Sequence, residues 1–148
     1  MQAIARDLLL AWGSLLLCFG IYQLTLPRAS YVSSSPAAGE SLSTPPAMLT
    51  IRFGRALVSE SWASVRRTWT REGAPDRAGE RTRRSSGPDP ADPTGRTLKV
   101  DLGPDLGRGI YRVDWHVVAS GGAPRYGSFY FAVGIPLPRD LTRSDGGP

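Results

Sequence analysis

The chain is poor in the residues that most often hold metals or carry out covalent chemistry. Its 148 residues include one Cys (Cys18), one His (His116) and two Met, the initiator and Met48. Zinc fingers, Cys/His clusters and disulfide frameworks each need several such ligands, and this inventory excludes them. A Met-rich copper(I) site is excluded in the same way. A Ser-His-Asp or Cys-His arrangement would have to pass through His116. No nucleophile or orienting group stands beside it in the sequence, so the chain is read as a non-enzyme.

Lysine is nearly absent as well. Of 18 Lys and Arg, only Lys99 is lysine, and against 13 Asp and Glu the formal net charge is +5. A basic balance can mark a nucleic-acid or anionic-membrane binder. Arg, Ala, Gly and Pro also share GC-rich codons, and a solvated charged face is the ordinary state of such residues. The densest run is Arg66, Arg67, Arg71, Arg77, Arg81, Arg83 and Arg84, interleaved with Glu72, Asp76 and Glu80 and close to Trp62 and Trp69. Basic residues mixed with stacking rings occur in single-strand binders. Solvated loop charge is the preferred reading here, an anionic surface or protein partner the second. Nucleic acid is not expected of a domain read as exported.

Long apolar runs are absent with one exception. Residues 8–26, LLLAWGSLLLCFGIYQLTL, hold no charge and are flanked by Arg6 and Asp7 before and Arg28 after. A bilayer-spanning helix needs about 20 such residues, whereas a secretory apolar core usually has about 7–15. Cleavage after Ala29 would put Pro27 at the −3 position, and Leu17 rather than a small residue precedes Cys18. Residues 1–27 are therefore assigned as a signal anchor or signal peptide, the uncleaved anchor preferred, with a buried soluble helix as the third alternative. Arg6 and Arg28 balance across the segment, so charge does not set its orientation. The part after it is placed outside the cytoplasm, in a periplasmic or equivalent compartment, tied to the membrane through this segment.

Beyond Arg28 the pattern is that of strands. Leu49, Ile51 and Phe53 alternate with Met48, Thr50 and Arg52. Leu98, Val100 and Leu102 alternate with Lys99 and Asp101. Tyr111, Val113, Trp115 and Val117 alternate with Arg112, Asp114, His116 and Val118, and Phe129, Phe131 and Val133 with Ser128, Tyr130 and Ala132. Ala29–Ser35 is a further short candidate. Trp62–Trp69 is a weaker one, with Val65 and the two Trp as its apolar content. Gly and Pro punctuate the joins, and residues 36–46 are rich in turn signals. Period-2 segments at this spacing predict an all-β sandwich or barrel over residues 28–135. Residues 71–96 contain no aromatic and no Val, Ile, Leu or Met. They predict a long mobile polar loop, and residues 136–148 a disordered tail.

Three stretches, in this order, resemble the CopC family of copper-resistance proteins. Val32-Ser33-Ser34-Ser35-Pro36-Ala37-Ala38-Gly39-Glu40-Ser41-Leu42 is similar to that family's opening strand and its S-x-P-A-x-G turn. Pro46 to Phe53, PAMLTIRF, is similar to its P-x-x-V-x-L-x-F strand. The most specific stretch lies between Leu106 and Val133. There Gly109-Ile110-Tyr111-Arg112-Val113-Asp114-Trp115 and Gly127-Ser128-Phe129-Tyr130-Phe131-Ala132-Val133 resemble L-x-x-G-x-Y-x-V-x-W and G-x-F-x-F-x-V. The resemblance covers about residues 28–134. It implies an immunoglobulin-like Greek-key β-sandwich, copper as the cargo and a membrane copper transporter as a possible partner.

The same resemblance implies a copper(II) site made of an N-terminal His with its free amine and of an Asp and a His from an S-x-D-G-H-P loop. Carried over position by position, the first His falls at Arg28, the Asp at Gly121 and the second His at Ala123. None of these supplies a side-chain ligand for copper(II). Arg28 adds a fixed positive charge that repels a cation. The remaining metal candidates are His116 and Asp114, on the strand face opposite Trp115. A solvated strand histidine is the preferred reading of His116, a weak and unselective metal ligand the second. Copper affinity is expected to be weak or absent.

Overall fold

The computed structural model describes residues 28–69 and 82–142. The expected N-terminal hydrophobic helix and the assignment of residues 1–27 lie outside the described residues, as do residues 71–81 of the 71–96 segment. Among the described residues no helix is long and apolar enough to cross a membrane.

The described residues form eight strands: β1 (Tyr31–Ser35), β2 (Ser41–Leu42), β3 (Met48–Phe53), β4 (Trp62–Trp69), β5 (Arg83–Ser86), β6 (Thr97–Asp101), β7 (Gly109–Val118) and β8 (Pro124–Val133). They build a three-stranded sheet in the order β1-β3-β6 and a five-stranded sheet in the order β2-β8-β7-β4-β5. All neighbours are antiparallel except β2, which runs parallel to β8.

Period-2 alternation explains which side chains meet. In β3 it turns Leu49, Ile51 and Phe53 inward, and in β6 Leu98 and Val100. From the larger sheet, Val65, Tyr111, Val113, Trp115, Val117, Phe129, Phe131 and Val133 join the same buried cluster. Phe53 meets Trp115 edge-on with ring centroids 5.3 Å apart, which ties one sheet to the other. Tyr111 stacks on Phe131 within the larger sheet, also at 5.3 Å. Fully burying one such side chain is worth about 1.5–3 kcal/mol, and aromatic pairs add roughly 0.5–1.5 kcal/mol.

The β7–β8 hairpin is the longest pairing, in unbroken register from Gly109↔Val133 to Val118↔Pro124. Gly127 stands directly opposite Trp115. A Cβ there would collide with the indole ring. Glycine is what allows the Trp115 ring, 3% exposed, to lie across the neighbouring strand.

The structure corrects the reading of the polar segment 71–96. Arg83–Ser86 form β5, paired with Trp62–Val65 of β4. An edge strand needs backbone partners more than an apolar face, so composition alone hides it. Residues 87–96 are also organised. The Asp92 carboxylate accepts the Thr94 hydroxyl at 2.7 Å and the backbone N–H groups of Thr94 and Arg96 at 2.9 and 3.0 Å. The Thr94 hydroxyl, with the Thr97 side chain and these backbone donors, holds the Asp92 carboxyl well below the usual carboxylate range. The segment after β8 differs too. Where a disordered tail is expected, the Leu137 N–H donates to the Ser41 hydroxyl at 3.1 Å and Arg139–Leu141 form a 3-10 turn.

The weak strand candidate Trp62–Trp69 forms as β4, and its apolar content divides between two faces, because Trp62 and Val65 lie three residues apart and a strand cannot turn both to one face. Ala63 and Val65 are buried, leaving Trp62, Ser64 and Arg66 on the outer face of the five-stranded sheet.

Candidate functional site

Two places hold the residues singled out in the sequence. The first is the turn joining β7 to β8. The Gly122 N–H donates to the Ala119 carbonyl at 2.9 Å, and Gly121 takes a left-handed φ of 65°. Residues 56–58 clamp the turn from the side: Ser120 N–H donates to the Ala56 carbonyl, Val58 N–H to the Val118 carbonyl, and Leu57 bridges to Ala119. Arg28 forms a parallel bridge with Ala123. The chain therefore enters the domain alongside this turn, which brings Arg28 beside Ala123 with Gly121 two residues away.

What these three residues can do chemically is limited. The guanidinium of Arg28 only donates hydrogen bonds, Ala123 offers a methyl group, and Gly121 offers nothing beyond its backbone. A Cβ at Gly121 would meet no atom within 4 Å, so the turn has room for a side chain that the sequence does not supply. Copper(II) favours imidazole nitrogen and carboxylate oxygen in a tetragonal set. The residues at these positions do not fit the ion.

The second place is the outer face of the five-stranded sheet. His116 and Asp114 both stand on it but do not converge on one point. Asp114 accepts the Arg112 Nε at 2.8 Å and lies 3.5 Å from a terminal guanidinium nitrogen of Arg66. Burial works against charge on Arg112, but the bond to Asp114 and its Coulomb attraction outweigh it and raise the Arg112 pKa. A cation approaching Asp114 thus meets two guanidiniums first. His116 is not simply solvated. It lies directly between Trp62 of β4 and Tyr126 of β8 in register, with ring centroids at 5.9 and 4.6 Å. Its Nδ1 is buried and makes no hydrogen bond. The expectation of an open strand histidine failed because both rings come from other strands, and local alternation carries no information about which residues stand opposite. Among the described residues no group of three or more His, Cys, Asp or Glu could hold a metal ion.

Trp62, Ser64, Arg66, Asp114, Tyr126 and Ser128 help line an open groove of about 520 Å³ on this face. The Arg84 guanidinium lies 4.5 Å from the centroid of the Trp62 ring. Part of the arginine run is therefore sheet surface rather than loop. Sequence reading missed Trp62, Tyr126 and Arg84 as one cluster. Strict alternation outward from Val65 would have placed Trp62 with Ser64 and Arg66. No local signal could have placed Tyr126 beside them.

Together these features define a small two-sheet β-domain in which Arg28, ahead of β1, bridges to a tight hairpin turn. The chain belongs to the CopC domain family, whose sequence model matches residues 31–134. Among solved structures it is similar to PcoC, a methionine-rich copper resistance protein from Escherichia coli. That match has 26% identity and a TM-score of 0.58, and covers 72% of this chain and 99% of that one. It is also similar to CopC from Methylosinus trichosporium OB3b. There the identity is 23% and the TM-score 0.54, covering 76% of this chain and 98% of that one, a likeness of fold. No curated protein sequence matches it significantly.

Proposed function

We propose that this chain is an extracytoplasmic CopC-type domain, held at the membrane by its N-terminal segment, that binds copper(II) weakly or not at all. One observation carries the reading. The positions the resemblance assigns to the copper(II) ligands hold Arg28, Gly121 and Ala123, and two of them, Arg28 and Ala123, are bridged side by side. The fixed charge of Arg28 opposes a cation there. His116 and Asp114 make a poor substitute, because one is stacked between rings and the other is held by two arginines. The methionine-rich character named for PcoC has no counterpart either, as this chain has only Met1 and Met48. Isothermal titration of the full chain in neutral detergent with copper(II) tests the reading. Weak, sub-stoichiometric heat is expected. Tight one-to-one binding that persists in His116→Ala would sink it.

A second reading is an interaction module for a membrane partner such as a copper transporter. It is favoured by the exposed outer face of the five-stranded sheet, where Tyr126, 67% exposed, stands in one row with His116 and Trp62, and Arg66, Arg84 and Arg112 lie on the same face. Recovery of no stable partner after cross-linking in native membranes would count against it.

A further inference from the structure

We infer that the outer face of the five-stranded sheet is a docking surface for an extended acidic polypeptide segment. The inference rests on the second reading above, and it commits that reading to one surface and one kind of occupant.

Three rows of side chains cross the sheet, each fixed by register. Trp62, His116 and Tyr126 form the first, Ser64, Asp114 and Ser128 the second, and Arg66, Arg112 and Tyr130 the third. The first row is aromatic and ends in the most exposed large ring described. Arg84 extends it from the neighbouring strand by lying over the indole. The third row is cationic, with the Arg112 guanidinium 5.9 Å from the Tyr130 ring centroid. Between them runs a polar floor that can accept and donate hydrogen bonds.

The charge on this face is unbalanced. Among the described residues of its rows, Arg66, Arg84 and Arg112 stand against one carboxylate, Asp114, which already serves two of them. A guanidinium over a ring face, as Arg84 is over Trp62, can still offer an edge to a carboxylate in bidentate fashion. Tyr and Arg are the residue types enriched at protein interfaces, and a ring of this exposure costs little entropy to dock against. The other outer face of the molecule offers no such set. Its rows are Ser33, Arg52 and Thr97, then Ser35, Thr50 and Lys99, then Met48 and Asp101. Charge complementarity thus selects an acidic occupant, and the groove beside the aromatic row suits an extended chain with side chains on alternate sides.

The test uses the full chain in neutral detergent and a fluorescein-labelled oligoglutamate peptide followed by anisotropy, with heparin as a competing polyanion that has no peptide backbone. Saturable binding is expected. It should weaken about tenfold in Arg84→Glu and in Arg66→Glu, and about threefold in Tyr126→Ala. Arg52→Glu, on the opposite sheet, should leave it unchanged. Arg84 and Tyr126 are exposed, so their variants report on docking even if Arg66→Glu disturbs Asp114. Absence of saturable peptide binding overturns the inference. So does an equal loss in Arg52→Glu, which would mean a diffuse charge effect. So does heparin binding that is tighter than peptide binding and lost in the same variants, which would mean a glycan surface. If a membrane partner is still recovered in the first case, the interaction reading stands and only this surface falls. If no partner is recovered and the peptide still binds with the expected pattern, the surface stands alone.

Discussion

The turn and the outer face of the β7–β8 hairpin share a backbone and almost nothing else. At the turn, Gly121, Gly122 and Ala123 leave little but main chain, and Arg28 runs beside it through a backbone bridge to Ala123. On the outer face, His116 and Tyr126 come together with Trp62, and Asp114 gathers Arg66 and Arg112. The difference teaches where the constraint in this fold lies. Trp115, Val113, Phe129 and Phe131 pack inward and set the hairpin's position. Gly121, Gly122 and Ala123 of the turn and the Trp62, His116 and Tyr126 row of the outer face are not part of that cluster. Either can lose or gain chemistry without moving the strands.

The comparison breaks most severely if the inner face is disturbed. Gly127→Ala would force a methyl group into the Trp115 ring, and overpacking of this kind costs roughly 1–3 kcal/mol, here about 3 kcal/mol because the clash is direct. Urea unfolding followed by tryptophan fluorescence should show the loss, together with weakened oligoglutamate binding as the outer row loses its register. A stability change near zero would mean that the indole can move aside.

The next largest effect comes from refilling the turn. A chain beginning at residue 28 with Arg28→His, Gly121→Asp and Ala123→His should gain copper(II) affinity. Removing a single outer-shell partner typically changes metal affinity by about 10–100-fold. Supplying the ligands themselves should therefore exceed about a hundredfold over the same chain without the substitutions. Copper titration by calorimetry or by quenching of tryptophan fluorescence reads it directly. No gain would mean that Arg28 and Ala123 are not where the resemblance places the ligands.

The smallest effect sharpens a different contrast, between the hydrogen-bonded turn at residues 92–96 and the long mobile loop that composition predicts. The Thr94 and Thr97 side chains and the backbone N–H groups stabilise the Asp92 carboxylate and lower its pKa. A lowered folded pKa contributes stability that is fully present above the ordinary carboxylate range, near pH 4, and is lost as pH falls through the folded value. The 92–96 turn should therefore stay closed well into the acid range. Asp92→Ala should speed amide hydrogen exchange at Thr94 and Arg96 and remove that acid dependence, with little change in global stability. Unchanged exchange would show that the turn is held by its backbone alone.

Much of the fold was legible because strand alternation is local. Leu49, Ile51 and Phe53 announced β3, and the β7 and β8 patterns announced their inner faces with the correct residues. The ligand-poor character of the chain was equally plain, since counting His, Cys and Met requires no structure. What was not legible depended on partners distant in sequence. β5 is a strand because β4 offers it hydrogen bonds, not because RRSS has an apolar face. β2 is two residues laid parallel to β8 within a turn-rich stretch. The period puts Trp62 on the face opposite Val65, but only register shows that His116 and Tyr126 join it there.

The sequence by itself determined the inner faces of the sandwich and the scarcity of His, Cys and Met, because both are properties of residue type and of spacing along one strand. Only the tertiary structure decided that Arg28 lies beside Ala123, and that Trp62, His116 and Tyr126 form one row with Arg84 over its end. Register between strands is set by the packing of the whole core, and it alone chooses which outward-facing side chains become neighbours.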